Sequence, residues 1–443
     1  MTYIARRGSI KGRPGGACEL GGFVKALLSG GDSRIELDPA TGLNKYFCPP
    51  KPAGHLACVA SCTASPISPL GWEESLVCYE DIMSSTARSA AARRAHWEVK
   101  VKSAIAAYFG LEGLADVHLT ASGTDAVAWT ARAIAAEQRG RCMTAILPGA
   151  SETGAGVALA AACRGFDPGP GFGEASAGVQ IQTVEVPLRT AEGVPREDGD
   201  LVEAFAKAVF AARGRVVIYL THGSKTGLVA PIEAPPGAEV VVDACQARIA
   251  PAAVRRYLRL GWPVIVTGSK FFGGPAFSGA VLAPTGRFGK AHRSPLAVGP
   301  LLRWMAALNG IEAARTSSVP DVIAGLVQEV EATLSGFPGV SIVDGPSPAM
   351  CEAGGWPPSI VTFQVAHPGS GLPMTVDELR ALYQNLARLG VLVGQPVSLG
   401  RPGGLRVAVG ARDLSAAGVI QNVEKLGAIL RMLVPGQTGR LHS

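Results

Sequence analysis

The sequence predicts an α/β fold: a largely parallel sheet covered by helices on both faces, followed by a smaller α+β unit. Three observations carry this. Between residues 115 and 284, short runs rich in Val, Ile and Leu alternate with helical stretches, the order that yields parallel strands joined by crossovers. The runs are apolar almost throughout, as strands buried on both faces are. Beyond about residue 300 longer helices separate isolated strands, which suits a mixed α+β unit.

Residues 1–90 are rich in Gly, Pro, Ser and Cys, with turn signals such as SGGDS and CPPKPAG, and read as an irregular N-terminal arm. The Ala-rich stretch TARSAAARRAHWEVKVKSAIAAYFG follows and predicts a helix stopped at Gly110. The large domain is placed at residues 91–310. Its strands are DVHLTA, MTAILP, VQIQTVEVP, VVIYLTH, AEVVVDA, PVIVTGS and SGAVLAP, with helices such as DAVAWTARAIAAEQ and LVEAFAKAVFAA between them. The small C-terminal domain, residues 311–443, has helices VIAGLVQEVEATLSG and TVDELRALYQNLARLG, strands VSIVDG, SIVTFQVA and LRVAVGA, and a closing helix from about Asp413 to Leu433.

Composition narrows the function. Of 443 residues, 47% are apolar and 17% charged, which excludes a disordered chain and gives a large core. The net charge of +6, from 41 basic and 35 acidic residues, is spread along the chain and forms no basic stripe for nucleic acid. Neither a long apolar span nor a signal-peptide core is present at the N-terminus MTYIARRGSIKGRPGG, so a soluble, cytoplasmic protein without a membrane partner is expected. Nine cysteines, an odd number without regular spacing, suit a reducing compartment. Cys58 and Cys62 are one residue too far apart for the usual zinc knuckle, so no metal site is expected.

Four polar clusters fall where ligands of open α/β sheets bind, at the carboxyl ends of strands. Ser122, Gly123 and Thr124 open a helix, where backbone N–H groups can receive a phosphate or where Ser122 simply caps the helix. His222 and Ser224 follow the strand VVIYL. Asp243 closes a run of three valines, a costly place for a carboxylate without a positive partner, although a strand-end aspartate can also cap a turn. Thr267, Ser269 and Lys270 end the run PVIVTGSK, with Gly273 and Gly274 behind them to let the chain turn closely. A lysine lifted out of water is readied as a nucleophile or Schiff-base former; a solvated lysine is the plainer alternative.

In order and spacing these clusters, SGTDA, THGSKTG, VDACQ and TGSK, resemble the fold-type I pyridoxal-phosphate (PLP) enzymes, in the branch of class V aminotransferases and cysteine desulfurases. The resemblance covers about residues 85–430. It implies a seven-stranded, mainly parallel sheet and PLP as cofactor, held by Lys270 as a Schiff base. Asp243 would pair with the pyridine nitrogen and Gln246 with the ring oxygen, near which Ser224 would lie, while Ser122, Gly123, Thr124, Thr267 and Ser269 would hold the phosphate. Ser278 would reach the phosphate of a partner subunit, implying a homodimer with shared sites. Arg406, in GGLRVAVGARD, would clamp the carboxylate of a small amino-acid substrate, and Arg412 would be solvated.

The sequence departs from the family pattern twice. Where relatives place an aromatic or histidine over the ring, this chain has LPGASETGAG, so Glu152 and backbone, or an arm residue, would cover it; Glu152 could equally be a helix N-terminal acid. No cysteine precedes Arg406 in VLVGQPVSLGRPGG, and Cys351 lies too early, which disfavours a persulfide-forming reaction unless Cys62 folds over the site. His222, in a THG segment like that of serine–pyruvate aminotransferases, tilts the expectation toward amino transfer with Lys270, Asp243 and His222 as the chemical groups. A PLP-dependent lyase and a non-catalytic relative stay open. The arm residues Arg34, Asn44 and Tyr46 are assigned no role.

Overall fold

The computed structural model describes residues 16–84, 86–137, 142–149, 152–164, 179–231, 235–289, 296–315, 318–346, 355–415 and 418–434. Within the arm it shows more order than the composition suggested: helix α1 (Gly16–Leu27), a two-residue strand β1 (Ala57–Cys58) and helix α2 (Pro69–Met83). Helix α2 starts cleanly because Ser68 caps the Gly71 amide at 3.0 Å and Pro69 occupies the first turn, where its missing N–H costs nothing. Helix α3 (Ala87–Phe109) ends at Gly110 in the left-handed conformation, as its sequence predicts.

The large sheet comprises β2 (Ala115–Thr120), β3 (Cys142–Pro148), β4 (Gln180–Val186), β5 (Arg215–Thr221), β6 (Ala238–Asp243), β7 (Val264–Thr267) and β8 (Gly279–Pro284). Their order is β2-β8-β7-β6-β5-β3-β4. Only β8 runs antiparallel, against both β2 and β7. Central strands are buried along their length on both faces, which is why they lack polar alternation. Helices α4 (Gly123–Ala136), α5 (Val157–Ala161), α6 (Asp198–Ala211), α7 (Pro251–Arg259) and α8 (Val298–Ala313) accompany the sheet. The sequence reading passed over α7, whose short PAAVRRYLR run is charged, though it buries Ala253, Val254, Tyr257 and Leu258.

The C-terminal sheet is antiparallel, in the order β12-β13-β10-β9: β9 (Val340–Ile342), β10 (Ile360–Val365), β12 (Gly394–Ser398) and β13 (Gly403–Ala408). Helices α9 (Val319–Ser335), α10 (Val376–Arg388) and α11 (Gly418–Leu433) complete this part, with a capping box formed by Thr375 and Glu378 at the start of α10. The closing helix begins later than expected, after a 3-10 turn at Asp413–Ser415.

One connection was not foreseen. Strand β1 of the arm pairs in parallel with β11 (Val391–Leu392), and Ala60 bridges Ala408. The arm is thereby fastened to the C-terminal sheet and carries residues 62 and 63 to the carboxyl ends of β5, β6 and β7.

Candidate active site

A cavity of about 320 Å³ opens at these strand ends, a size suited to a small ligand. Of the residues singled out in the sequence, Ser122, Gly123, Thr124, Glu152, Ser224, Asp243, Gln246, Thr267, Ser269, Lys270 and Arg406 all line it. His222 and Ser278 do not. The cavity also takes in Arg34, Tyr46, Cys62, Thr63, Thr221, Lys225, Cys245 and Gln395.

Lys270 follows β7, and its Nζ donates to the Thr63 carbonyl at 2.6 Å. Burial pushes its pKa down to about 8, helped by the positive charges of Arg406 and Arg248 and opposed by Cys62 and Cys245. The turn behind it is held against the protein rather than against the cavity. Gly273 is left-handed (φ +70°), the Gly274 amide returns to Gly268 O at 2.9 Å, and a side chain at Gly274 would strike Ala307 of α8 at 2.7 Å. These glycines fix where the lysine starts.

Asp243 ends β6 and is 7% exposed. Its Oδ1 accepts from the Cys245 amide at 3.0 Å, and it forms no ion pair with any described residue. Burial raises its pKa, while the bonds from Cys245 and the charge of Lys270 oppose the rise. Beside it in register, Thr221 ends β5 with a buried Oγ1 that has no hydrogen-bond partner. Gln246 is fixed from two sides: its Nε2 donates to Cys62 O at 3.1 Å, and its Oε1 accepts from Arg248 Nη1 at 3.1 Å.

At the other edge, Ser122 caps α4 through the Asp125 amide at 3.1 Å, which satisfies the plain reading of this residue. The next amides, of Gly123 and Thr124, belong to the first turn and have no acceptor within the helix. Only glycine fits at 123, because a side chain would come within 2.4 Å of Cys245 Sγ. Thr267, 4% exposed, donates to Cys245 O at 2.6 Å, and Ser269 is 6% exposed.

Arg406 is 3% exposed and has no acidic partner among the described residues. Its guanidinium is held by Gln395 O at 2.7 Å, Lys225 O at 2.9 Å and Thr63 Oγ1 at 3.1 Å. It is a positioned cation facing the lysine, and the geometry suits a carboxylate.

Glu152 and Ser224 reach the cavity but spend their polar atoms on each other. Ser224 Oγ donates to Glu152 Oε2 at 2.6 Å, Thr226 Oγ1 lies 2.8 Å from the same oxygen, and Arg189 Nε donates to Oε1 at 2.6 Å. The ion pair is almost wholly buried, with side-chain exposures of 4% and 1%. Removing one partner strands a buried charge. Arg189→Met is therefore expected to destabilise the fold by about 3–5 kcal/mol, measured as a lowered urea midpoint; an unchanged midpoint would show that Glu152 does not depend on the pair.

Three expectations are corrected. His222 points away from the cavity: it is 1% exposed, its Nδ1 lies 2.9 Å from Tyr257 Oη, and burial drives its pKa down to about 3. Successive strand residues face opposite sides, so Thr221 and Gly223 take the positions facing the cavity. Ser278 is fully buried and its Oγ turns back to Pro275 O at 3.4 Å, so it is not placed to reach a partner subunit. Arg412 is tied down rather than solvated, its Nη1 donating to Pro66 O at 2.7 Å. Cys351 lies outside the described residues. Cys62 does fold over the site: it is 2% exposed, lines the cavity, and stands so close to Gly394 and Arg406 that a side chain at 394 would meet its Sγ at 2.6 Å.

The donor set of the cavity matches, group by group, the PLP that the sequence resemblance implies. A phosphate matches the amides at the start of α4 together with Thr267 and Ser269, a pyridinium matches Asp243, which has no ion-pair partner among the described residues, and an aldehyde matches Lys270. The orphaned Thr221 Oγ1 next to Asp243 marks where a polar ligand atom is missing. The residues fit the group. Among the described residues no His, Cys, Asp or Glu cluster could hold a metal ion, and no helix is long and apolar enough to cross a membrane.

No family model and no curated protein matches the chain. Solved structures do. The complex of the cystine C-S lyase C-DES with its reaction product cysteine persulfide is 16% identical, with a TM-score of 0.58 over 85% of this chain and 97% of that one. The cysteine desulfurase CsdA from Escherichia coli is 15% identical, with a TM-score of 0.55 over 86% and 96%. Oryza sativa TDC with PLP and tryptamine is 16% identical, with a TM-score of 0.56 over 85% and 83%. In its topology the chain shares the fold of these solved structures, the fold-type I fold.

Proposed function

We propose that the protein is a PLP-dependent enzyme acting on a small amino acid, with amino transfer as its first reading. One observation carries it: a half-buried lysine, a buried carboxylate without an ionic partner and a buried guanidinium without an acid all face one cavity. Cys48, Cys58, Cys62, Cys78, Cys142, Cys163 and Cys245 are free thiols, which supports a cytoplasmic setting. The proposal includes the homodimer implied by the sequence resemblance.

When bound here, PLP supplies an electron sink for negative charge at the substrate α-carbon. Lys270 Nζ would hold the cofactor, and its low pKa keeps enough neutral amine near pH 7 to take and return a proton at the substrate α-carbon. Asp243 would keep a proton on the pyridine nitrogen. Gly123, Thr124, Thr267 and Ser269 would hold the phosphate, and Gln246 would bond the ring oxygen. Arg406 orients the substrate carboxylate, and the Cys62–Thr63 segment shields the lysine from water.

A lyase reading has its own support in Cys62, whose thiol shares the cavity with Lys270 and Arg406 and would be placed to meet a sulfur-bearing substrate. A screen of amino acids with spectral detection of the amine form of the cofactor separates the two. Conversion to that form, reversed by a keto acid, supports amino transfer; release of sulfide or ammonia without an acceptor supports the lyase. A protein that cannot be reconstituted with PLP would defeat both. Arg406→Ala is expected to raise KM for amino acids about 100-fold, as loss of a paired charge commonly does, while the bound-cofactor absorbance is retained. Loss of that absorbance instead would place Arg406 in cofactor binding.

A further inference from the structure

Beside the active site lies a second cavity of about 30 Å³, lined in part by Arg248, Trp356, Ser359 and His222. It has room for a single water or a monatomic ion. Three of its lining residues carry a buried polar atom without a hydrogen-bond partner: Arg248 Nε, Trp356 Nε1 and Ser359 Oγ. All three side chains are more than nine-tenths buried, at 6%, 8% and 3% exposure. Such orphans are uncommon in native proteins and call for a ligand.

Two neighbours hold the three together. Val409 accepts from Arg248 Nη2 at 3.2 Å and donates its own amide to Ser359 O at 2.9 Å. Phe271, next to Lys270, has the Arg248 guanidinium 5.7 Å from its ring centre and the Trp356 ring edge-on at 5.3 Å. His222 Nδ1 lies 2.9 Å from Tyr257 Oη, which ties this wall of the cavity to α7.

The chemistry of this set selects the occupant. An indole N–H and a guanidinium N–H only donate, and a hydroxyl can do so. No carboxylate among the described residues lies within ion-pair distance of Arg248; Asp413 attracts it from farther away. A water molecule can accept only two hydrogen bonds and brings no negative charge. A monatomic anion accepts from every donor and compensates the guanidinium, whose burial is otherwise costly. We propose that this cavity is a halide site, occupied by chloride. Because Arg248 also holds Gln246 through its backbone O at 3.2 Å and its Oε1 at 3.1 Å, the bound ion steadies a residue of the main cavity from behind.

The test uses bromide as the probe on the full-length protein. Crystals grown in sodium bromide and measured at the bromine absorption edge are expected to show an anomalous peak among Arg248, Trp356 and Ser359. Melting temperature is expected to rise saturably with bromide and not with sodium gluconate at equal ionic strength. Ser359→Ala, which removes one donor and little volume, is expected to raise the half-saturating bromide about tenfold, the worth of one hydrogen bond to a charged group. No anomalous peak at this position, an equal response to gluconate, or an unchanged half-saturation in Ser359→Ala overturns the proposal.

Discussion

Lys270→Ala is expected to lower turnover at least about 10³-fold, the scale of losing a positioned acid–base group, and to abolish the absorbance of covalently held PLP. The wild-type rate of cofactor attachment should rise with pH and level off above about 8, where burial has placed the ammonium pKa. The sign follows from the nucleophile being the neutral amine. At pH 7 about a tenth of a lysine with that pKa is neutral, against about one in 2,500 for an ordinary lysine. Arg406 and Arg248 both contribute to the depression, so removing either charge should move the midpoint upward. Stopped-flow absorbance across pH 6–10 reads it, and a rate that climbs steadily to pH 10 would show that Nζ is not held as described.

Asp243→Asn should follow closely in size. The carboxylate is 7% exposed and lacks an ionic partner, so burial raises its pKa, and a pyridinium placed beside it would reverse that effect. An amide of the same shape keeps the packing and the bond from the Cys245 amide but cannot hold the ring proton as a charge pair. Truncating one member of a buried charged pair costs about 2–5 kcal/mol, so kcat is expected to fall roughly 30- to 4,000-fold. Cofactor content should stay near that of the wild type because Lys270 and the phosphate contacts are untouched. A variant with unchanged kcat would remove Asp243 from the chemistry.

The parts of this site that were legible in the sequence are those fixed by short-range rules. The run VVVD places a carboxylate at the end of a buried strand, ASGTDA supplies a capped helix start, and the apolar run before Lys270 marks a strand end; the fold converges these segments because parallel strands share one carboxyl edge. Residue parity was also available and not used: in VVIYLTHG, facing alternates, so a cavity that receives Thr221 cannot receive His222. What was not legible depends on contacts far apart in sequence. Thr63 meets Lys270 across 207 positions, and no local pattern in VASCTAS announces that a two-residue strand will dock it there. Arg412 looked solvated because a charged residue near a strand end usually is, whereas its partner, Pro66 O, belongs to the arm. The glycines after the lysine do mark a tight turn, but Gly274 packs on α8 and Gly273 on the Arg412 side chain.

The attachment of the arm has a mechanical consequence. Strand β1, the Ala60 bridge and the Ser61 hydroxyl bond to Ala408 O at 3.0 Å all join the arm to the C-terminal sheet, yet its tip caps a lysine of the large sheet. Any hinge movement that swings the C-terminal sheet outward draws Thr63 off Nζ and Arg406 away from the strand ends in one stroke. The cover over Lys270 Nζ and the Arg406 guanidinium are thus carried on one connected piece, joined again where Arg406 donates to Thr63 Oγ1.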